Sequence, residues 1–321
     1  MAPWFGGFGR KLLVAAALAA ATSASAQMEL KIMAPAAPGG GWDQTARSMQ
    51  QALMESGAAK SVQVTNIPGA GGTIGIAQFV NGAKGDGNQL MVNGFVMVGA
   101  ILLNKAPVTL DQVTPIARLT SEYLVIVVPA NSQLKTAKDL ADTLKSDPGK
   151  VTWAGGSAGG VDHIAVGLFA KAVGADPTKI NYIPFSGGGE AIAAIMGGKV
   201  TAGVSGYGEF EGQIKTGKLR ILAVTSPKRL EGVDAPTLKE QGIDLDIANW
   251  RSVMGAPGIT PAQREALGKA IETMVKSPAW AEVLKQKGWD DAYLAGDEFA
   301  AYLKQEQARV ADVLKTIGLV K

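Results

Sequence analysis

Leu30-Lys31-Ile32-Met33-Ala34, followed by Pro35-Ala36-Ala37-Pro38-Gly39-Gly40-Gly41-Trp42-Asp43, is the stretch on which the fold turns. A short β run hands over, through a loop of prolines and glycines, to residues 43–54, where apolar side chains recur at helical spacing. That hand-over is the unit from which the rest of the chain is built.

Moving outward, residues 62–66 read as the next strand and 73–81 as the next helix. Residues 90–93 and 96–103 continue the alternation, as do the strand 124–128 and the helix 137–145. The strand 151–154, the helix 161–173 and the segments 180–184, 191–196, 201–205, 210–216 and 219–225 keep the same beat. Alternation with such short connections predicts an α/β fold with parallel sheets, and 321 residues suit two sheets better than one. Helices at 261–275, with Thr260 as N-cap and Pro261 in the first turn, and at 296–316 close the chain. No repeat or low-complexity linker separates two halves, so crossing strands are expected to join them.

Glycine contributes 41 residues, roughly twice its ordinary usage, and it is not scattered. Four clusters fall where a strand passes to a helix: residues 39–41, residues 69–72, residues 155–160 around Ser157, and Gly187-Gly188-Gly189 after Ser186. Without a Cβ, the backbone N–H groups of such loops can approach a ligand closely. The helix that follows leaves its first N–H groups unpaired and turns its positive end to the same point. In open α/β sheets ligands bind beyond the carboxyl ends of the strands. One cluster alone reads as a tight turn; four together predict an anion cradle divided between two lobes.

Composition removes most catalytic alternatives. With no cysteine and one histidine there is no disulfide framework, thiol catalysis, Cys/His zinc site or histidine pair. An all-carboxylate cation site survives this test, but neither a metal nor a cofactor is expected. Lys+Arg 31 against Asp+Glu 28 offers no polybasic footprint for nucleic acid. The phosphate loop of nucleotide hydrolases is missing, and in the dinucleotide pattern counted from Gly69 the third glycine position holds Ile74. Gly155-Gly156-Ser157-Ala158-Gly159 does spell a nucleophile elbow. A hydrolase triad needs a histidine after the serine and the acid; His163 instead stands on the helix that Ser157 introduces. A serine without a positioned base is a hydrogen-bond donor.

Each candidate ligand residue has a structural reading beside the functional one. Asp43 can orient a ligand group or cap a helix, and Trp42 can wall a pocket or act as a hydrophobic staple. Ser157 and Ser186 are hydroxyl donors in glycine loops. His163 can donate to a carboxylate or be a satisfied structural residue. Tyr207, at a strand end after Val204-Ser205-Gly206, is a weaker candidate of the same kind. Arg47 and Arg251 can neutralise ligand charge or serve as surface cations.

The N-terminus carries an address. Arg10 and Lys11 precede an apolar run from Leu12 to Ala21, which ends in Ala24-Ser25-Ala26. A basic start, a short hydrophobic stretch and an A-x-A site predict a signal peptide over residues 1–26, cleaved after Ala26. The apolar run is too short to span a bilayer, which needs about 20 helical residues. The mature chain is therefore expected to be exported.

Ala34-Pro35-Ala36-Ala37-Pro38-Gly39-Gly40-Gly41-Trp42-Asp43-Gln44-Thr45-Ala46-Arg47 resembles the first binding loop of the tripartite tricarboxylate transporter receptors, also called Bug receptors. Asn66-Ile67-Pro68-Gly69-Ala70-Gly71-Gly72-Thr73-Ile74-Gly75 resembles their second loop. Gly156-Ser157 with His163, Leu222-Ala223-Val224-Thr225-Ser226-Pro227-Lys228-Arg229 and Gly255-Ala256-Pro257-Gly258-Ile259-Thr260-Pro261 are similar to later segments of the family, so the likeness covers the mature chain. The resemblance implies a two-lobed periplasmic-binding-protein fold, each lobe an α/β sheet layered with helices, with the ligand cleft between them. Lobe 1 would comprise residues 27–125 plus 250–321, and lobe 2 residues 126–249. Lobe 1 would supply Gly40, Gly41, Trp42, Asp43, Gly71 and Gly72; lobe 2 would supply Ser157, His163, Ser186 and Gly187, with Tyr207 beside them. Gly41-Trp42-Asp43 resembles the tricarboxylate branch most. The implied protein is not an enzyme but a monomeric receptor, which captures a citrate-like tricarboxylate or a dicarboxylate by hinge closure. It would deliver that ligand to the membrane subunits of a transporter. The alternatives are a carboxylate sensor for a membrane signalling protein and a secreted serine hydrolase using Ser157.

Overall fold

The computed structural model describes Met1, residues 28–185 and residues 188–321. The expected signal peptide and its cleavage site, with Ser186 and Gly187, lie outside the described residues.

Met28–Ala34 (β1), Ala59–Asn66 (β2) and Gln89–Gly94 (β3) form a parallel unit with β1 in the middle; Ile32 stands opposite both Val64 and Leu90. Helices Gly41–Glu55 (α1), Thr73–Gly82 (α2) and Phe95–Asn104 (α3) follow these strands in turn. Thr114–Pro129 (β4) then runs for 16 residues, about 50 Å of extended chain. After Ala137–Ser146 (α4), a second parallel unit is built from Thr152–Gly155 (β5), Asn181–Pro184 (β6) and Ala202–Gly206 (β7), with β5 in the middle. Val161–Ala172 (α5), Gly188–Met196 (α6) and Tyr207–Lys215 (α7) belong to this unit. Leu219–Val224 (β8), Ala248–Gly255 (β9), Pro261–Val275 (α8), Pro278–Lys287 (α9), Asp290–Ala295 (β10) and Gly296–Thr316 (α10) complete the chain.

The α/β alternation is as expected from the sequence, but the sheets are not purely parallel. β4 and β9 are antiparallel to each other, and β9 is antiparallel to β3, while β4 also takes β10, β7 and β8 in antiparallel pairing. β4 changes partners along its length. Residues 114–123 pair with β9, and residues from Leu124 onward pair with β7 and β8. The strand order β2-β1-β3-β9-β4-β7-β5-β6 therefore forms one continuous path rather than two separate sheets.

The strand read at 124–128 is the second half of β4, but its first half and β9 escaped the sequence reading for a physical reason. The first half of β4 has register shifts between Pro115 and Ala117 and between Arg118 and Thr120, which break the two-residue period. In β9, Asn249, Arg251 and Ser252 are polar yet buried, so no apolar alternation marks it. The strand β10 and helix α9 were likewise unread. Thr260 does cap α8, accepting from the Gln263 N–H, with Pro261 in the first turn.

Helix α3 lies directly against the loop of residues 155–160. A methyl group on Gly99 would overlap the Gly159 carbonyl well inside van der Waals contact. Gly99→Ala is expected to lower stability by about 1–3 kcal/mol through overpacking. Urea denaturation checks this: an unchanged midpoint would mean that α3 and the loop do not meet.

Candidate functional site

Four helices begin at one cleft and open on glycine instead of a capping side chain. Gly40 precedes α1, Gly72 precedes α2, Gly160 precedes α5 and Gly206 precedes α7, each without a side-chain cap. Helices α4, α8 and α9, which start elsewhere, carry Thr136, Thr260 and Ser277 as caps. An uncapped first turn presents backbone N–H groups and the positive end of the helix dipole. The cleft holds about 850 Å³ of space counted to its open mouth.

Gly40, Gly41, Trp42, Gly71, Gly72 and Ser157 all line it, so residues 117 positions apart along the chain face one space. Gly71 and Gly72 have φ of 63° and 90°, a region that favours glycine. A Cβ at Gly72 would also stand 2.7 Å from the Trp42 ring, and one at Gly71 would stand 3.4 Å from Ser157 Cβ. Trp42 walls the cleft and packs its ring against the second loop at Gly72; no staple contact among the described residues accounts for its position. Ser157 Oγ has no hydrogen bond within the described residues and is available to a ligand.

Asp43 and His163 stand behind this lining. Asp43 is not the N-cap, since α1 starts at Gly41. Its carboxylate accepts from Gly39 N (2.7 Å), Arg47 Nε (3.0 Å) and Asn66 Nδ2 (2.8 Å), which ties the first loop to the end of β2. Burial works to raise its pKa, but these hydrogen bonds outweigh it and hold the pKa below the ordinary aspartate value. His163 Nδ1 accepts from Gly159 N at 3.2 Å, and the ring stacks on Tyr182 with centroids 4.1 Å apart. The loop is held further by Asp162, which accepts from Gly156 N at 2.7 Å, and by the Tyr182 hydroxyl, which donates to the Gly156 carbonyl. His163 makes no hydrogen bond to Ser157 and serves to shape the loop. Tyr207 starts α7 but does not line the cleft.

The lining also contains charged groups that sequence reasoning did not place. Asp162, Ser205, Glu209, Asn249 and Arg251 face the cleft, with Phe185 and Val96 among the apolar lining. Arg251, noted from the sequence only as a candidate cation, is 3% exposed. It pairs with buried Glu122, and its guanidinium stacks 4.8 Å from the Trp289 ring centre. Glu122 also accepts from Asn249 Nδ2 and Trp289 Nε1, each at 3.1 Å. Burial pushes the Asp162 pKa up to about 8; the Gly156 N–H opposes this, and the Glu209 and Glu122 charges add to it. Burial and then the Glu122 charge push Glu209 up to about 7, while Arg251 and a Ser205 hydrogen bond oppose the rise. No local sequence signal announces this cluster, because its members come from five separate elements. Among the described residues no group of three or more His, Cys, Asp or Glu is placed to hold a metal ion.

The profile of the tripartite tricarboxylate transporter family receptor matches residues 45–319. BugT of Bordetella pertussis is 29% identical over 295 residues, covering 90% of this chain and 89% of BugT. A Rhodopseudomonas palustris protein solved with adipate superposes with a TM-score of 0.82 at 21% identity, covering 91% of this chain and 97% of that one. MatC of Rhodopseudomonas palustris, solved with bound malate, gives a TM-score of 0.77 at 22% identity, covering 89% and 99%. These two structures share the fold. No helix among the described residues is long and apolar enough to cross a membrane.

Burial lowers the His163 pKa from 6.5 to about 4, so the fold favours the neutral ring. Its contribution to stability is fully present above about pH 6.5 and fades by about 3 kcal/mol as pH falls toward 4. Asp162 and Glu209, with raised pKa values, change stability in the opposite sense. His163→Gln is expected to flatten the acid limb of a plot of stability against pH. An unaltered slope between those limits would refute the assignment.

Proposed function

The chain belongs to the tripartite tricarboxylate transporter receptor family, and from that premise we propose that it captures a small organic acid in the periplasm and delivers it to the membrane subunits of such a transporter. The family is one of binding receptors rather than enzymes. The observation that carries the reading is the convergence of uncapped, glycine-started helices from distant parts of the chain on one cleft. Backbone N–H groups at Gly41, Trp42 and Gly71 would take a carboxylate, with the Ser157 hydroxyl donating as well. Adipate and malate accompany two proteins of the same fold, which supports a di- or tricarboxylic acid, citrate-like in the finer reading.

In this proposal residues 27–125 plus 250–321 form one lobe and residues 126–249 the other. β4 and β9 cross between them and flex as the cleft closes. The ligand favours the closed arrangement because only there do both walls contact it. The receptor acts as a monomer after removal of residues 1–26. A sensor feeding a signalling protein would use the same closure and is distinguished by its membrane partner. The hydrolase alternative lacks a base, since the one imidazole is engaged with Gly159 and Tyr182.

A thermal-shift screen of di- and tricarboxylates tests the ligand class; no rise in Tm with any of them would sink it. Ser157→Ala is expected to weaken binding by about 1–3 kcal/mol. Calorimetry showing unchanged affinity would remove Ser157 from the site.

A further inference from the structure

An anion-binding cleft would be expected to concentrate positive charge, yet this one carries acids. Asp162, in the first turn of α5, and Glu209, in the first turn of α7, both line it. The one guanidinium in the lining, Arg251, is already committed to Glu122. Glu209 reaches toward two glycine-rich helix starts. A Cβ built on Gly41 would stand 3.2 Å from Glu209 Oε1, and one built on Gly188 would stand 2.6 Å from Oε2. Its carboxyl thus lies between the starts of α1 and α6, on the wall of the ligand's space.

Asp162 shows that these acids are not fully used by the fold. Its side chain is only 7% exposed, and Oδ2 accepts from Gly156 N. Oδ1 has no hydrogen bond among the described residues, and it is not among the wholly enclosed unpaired atoms. A carboxyl oxygen that meets the cleft and has no protein donor, on a side chain otherwise buried, can accept a hydrogen bond from the ligand.

We propose that Asp162 and Glu209 read a second polar group of the ligand through a hydrogen bond whose proton the ligand brings: the preferred solute is an organic acid whose second group is an ammonium, an amide or a hydroxyl. A second bare carboxylate is bound only with uptake of a proton from water, because like charges at this separation in a buried cleft repel strongly. The inference rests on the receptor reading above but departs from its di- or tricarboxylic ligand class. The groups that set the local field are Glu122 on β4, Ser205 on β7, Asn249 and Arg251 on β9, Tyr182 on β6, and His163 and Asp162 on α5. The raised pKa values of Asp162 and Glu209 agree with a site that holds a proton near neutrality.

The test is a matched series measured by calorimetry on the intact mature chain: adipate, its monoamide, 6-aminohexanoate and 6-hydroxyhexanoate, with hexanoate as the blank. The four-carbon series built on succinate is run alongside. At about pH 9, the best donor-bearing member of a series is expected to bind about tenfold or more tighter than the matched dicarboxylate. The dicarboxylate should recover about tenfold on moving to about pH 6, with proton uptake visible as a dependence of the heat on the buffer. Glu209→Gln should remove much of that recovery, and Asp162→Asn provides a second variant with the same readout. The ranking within the series identifies which donor the site takes. A dicarboxylate bound at about pH 9 as tightly as any donor-bearing member overturns the inference and leaves the receptor reading standing. Donor-bearing members no better than the blank overturn it as well. Failure of every acid to bind at either pH removes the receptor reading, and this inference with it.

Discussion

The buried pair of Glu122 and Arg251 sits where β4 passes from one set of partners to the other. Glu122 faces Asn249 in the antiparallel register of β4 and β9, just before Leu124 takes up pairing with β7. A charge pair at this depth is tolerable only if each remaining polar atom is engaged. Asn249 and Trp289 supply those contacts to the carboxylate, and the Trp289 ring covers the guanidinium. Both strands are therefore held at one defined crossing, and Arg251 is delivered to the floor of the cleft. Gly206, beside Glu122, leaves no room for a side chain there. The two parallel units hang from this crossing.

The cleft's chemistry follows from how its helices begin. Where α4, α8 and α9 start, a threonine or serine satisfies the first turn. Where α1, α2, α5 and α7 start, glycine leaves that role open. With glycine there the fold forgoes only about a few tenths of a kcal/mol of capping at each of these termini, and what it retains is a set of donors aimed at one space. Asp162 and Glu209 moderate that positive potential from within. The site is thus polar in both senses, with donors from the backbone and acceptors from side chains.

Much of this was legible before any coordinates. The Pro38–Asp43 and Asn66–Thr73 segments announced their loops through glycine, whose placement at strand ends has a local cause. The single histidine beside Ser157 was enough to set hydrolysis aside, and its engagement with Gly159 and Tyr182 agrees with that. Less legible were residues whose role depends on a partner far away in sequence. Asp43 reads as a cap, yet it binds Asn66 and Arg47 as well as the loop. Glu122, Glu209 and Trp289 carry no mark of their own.

The sequence by itself determined the α/β alternation, the glycine loops, the family and the absence of thiol and paired-histidine chemistry. These depend on residue type, spacing and local backbone preference, which a chain displays in order. Only the tertiary structure decided that β4 and β9 are long antiparallel strands, that Arg251 is buried and neutralised, and that two acids share the cleft with the donor loops. Those outcomes depend on burial and on charges brought together from separate elements. Desolvation and Coulomb interaction act through space, and no linear pattern records them.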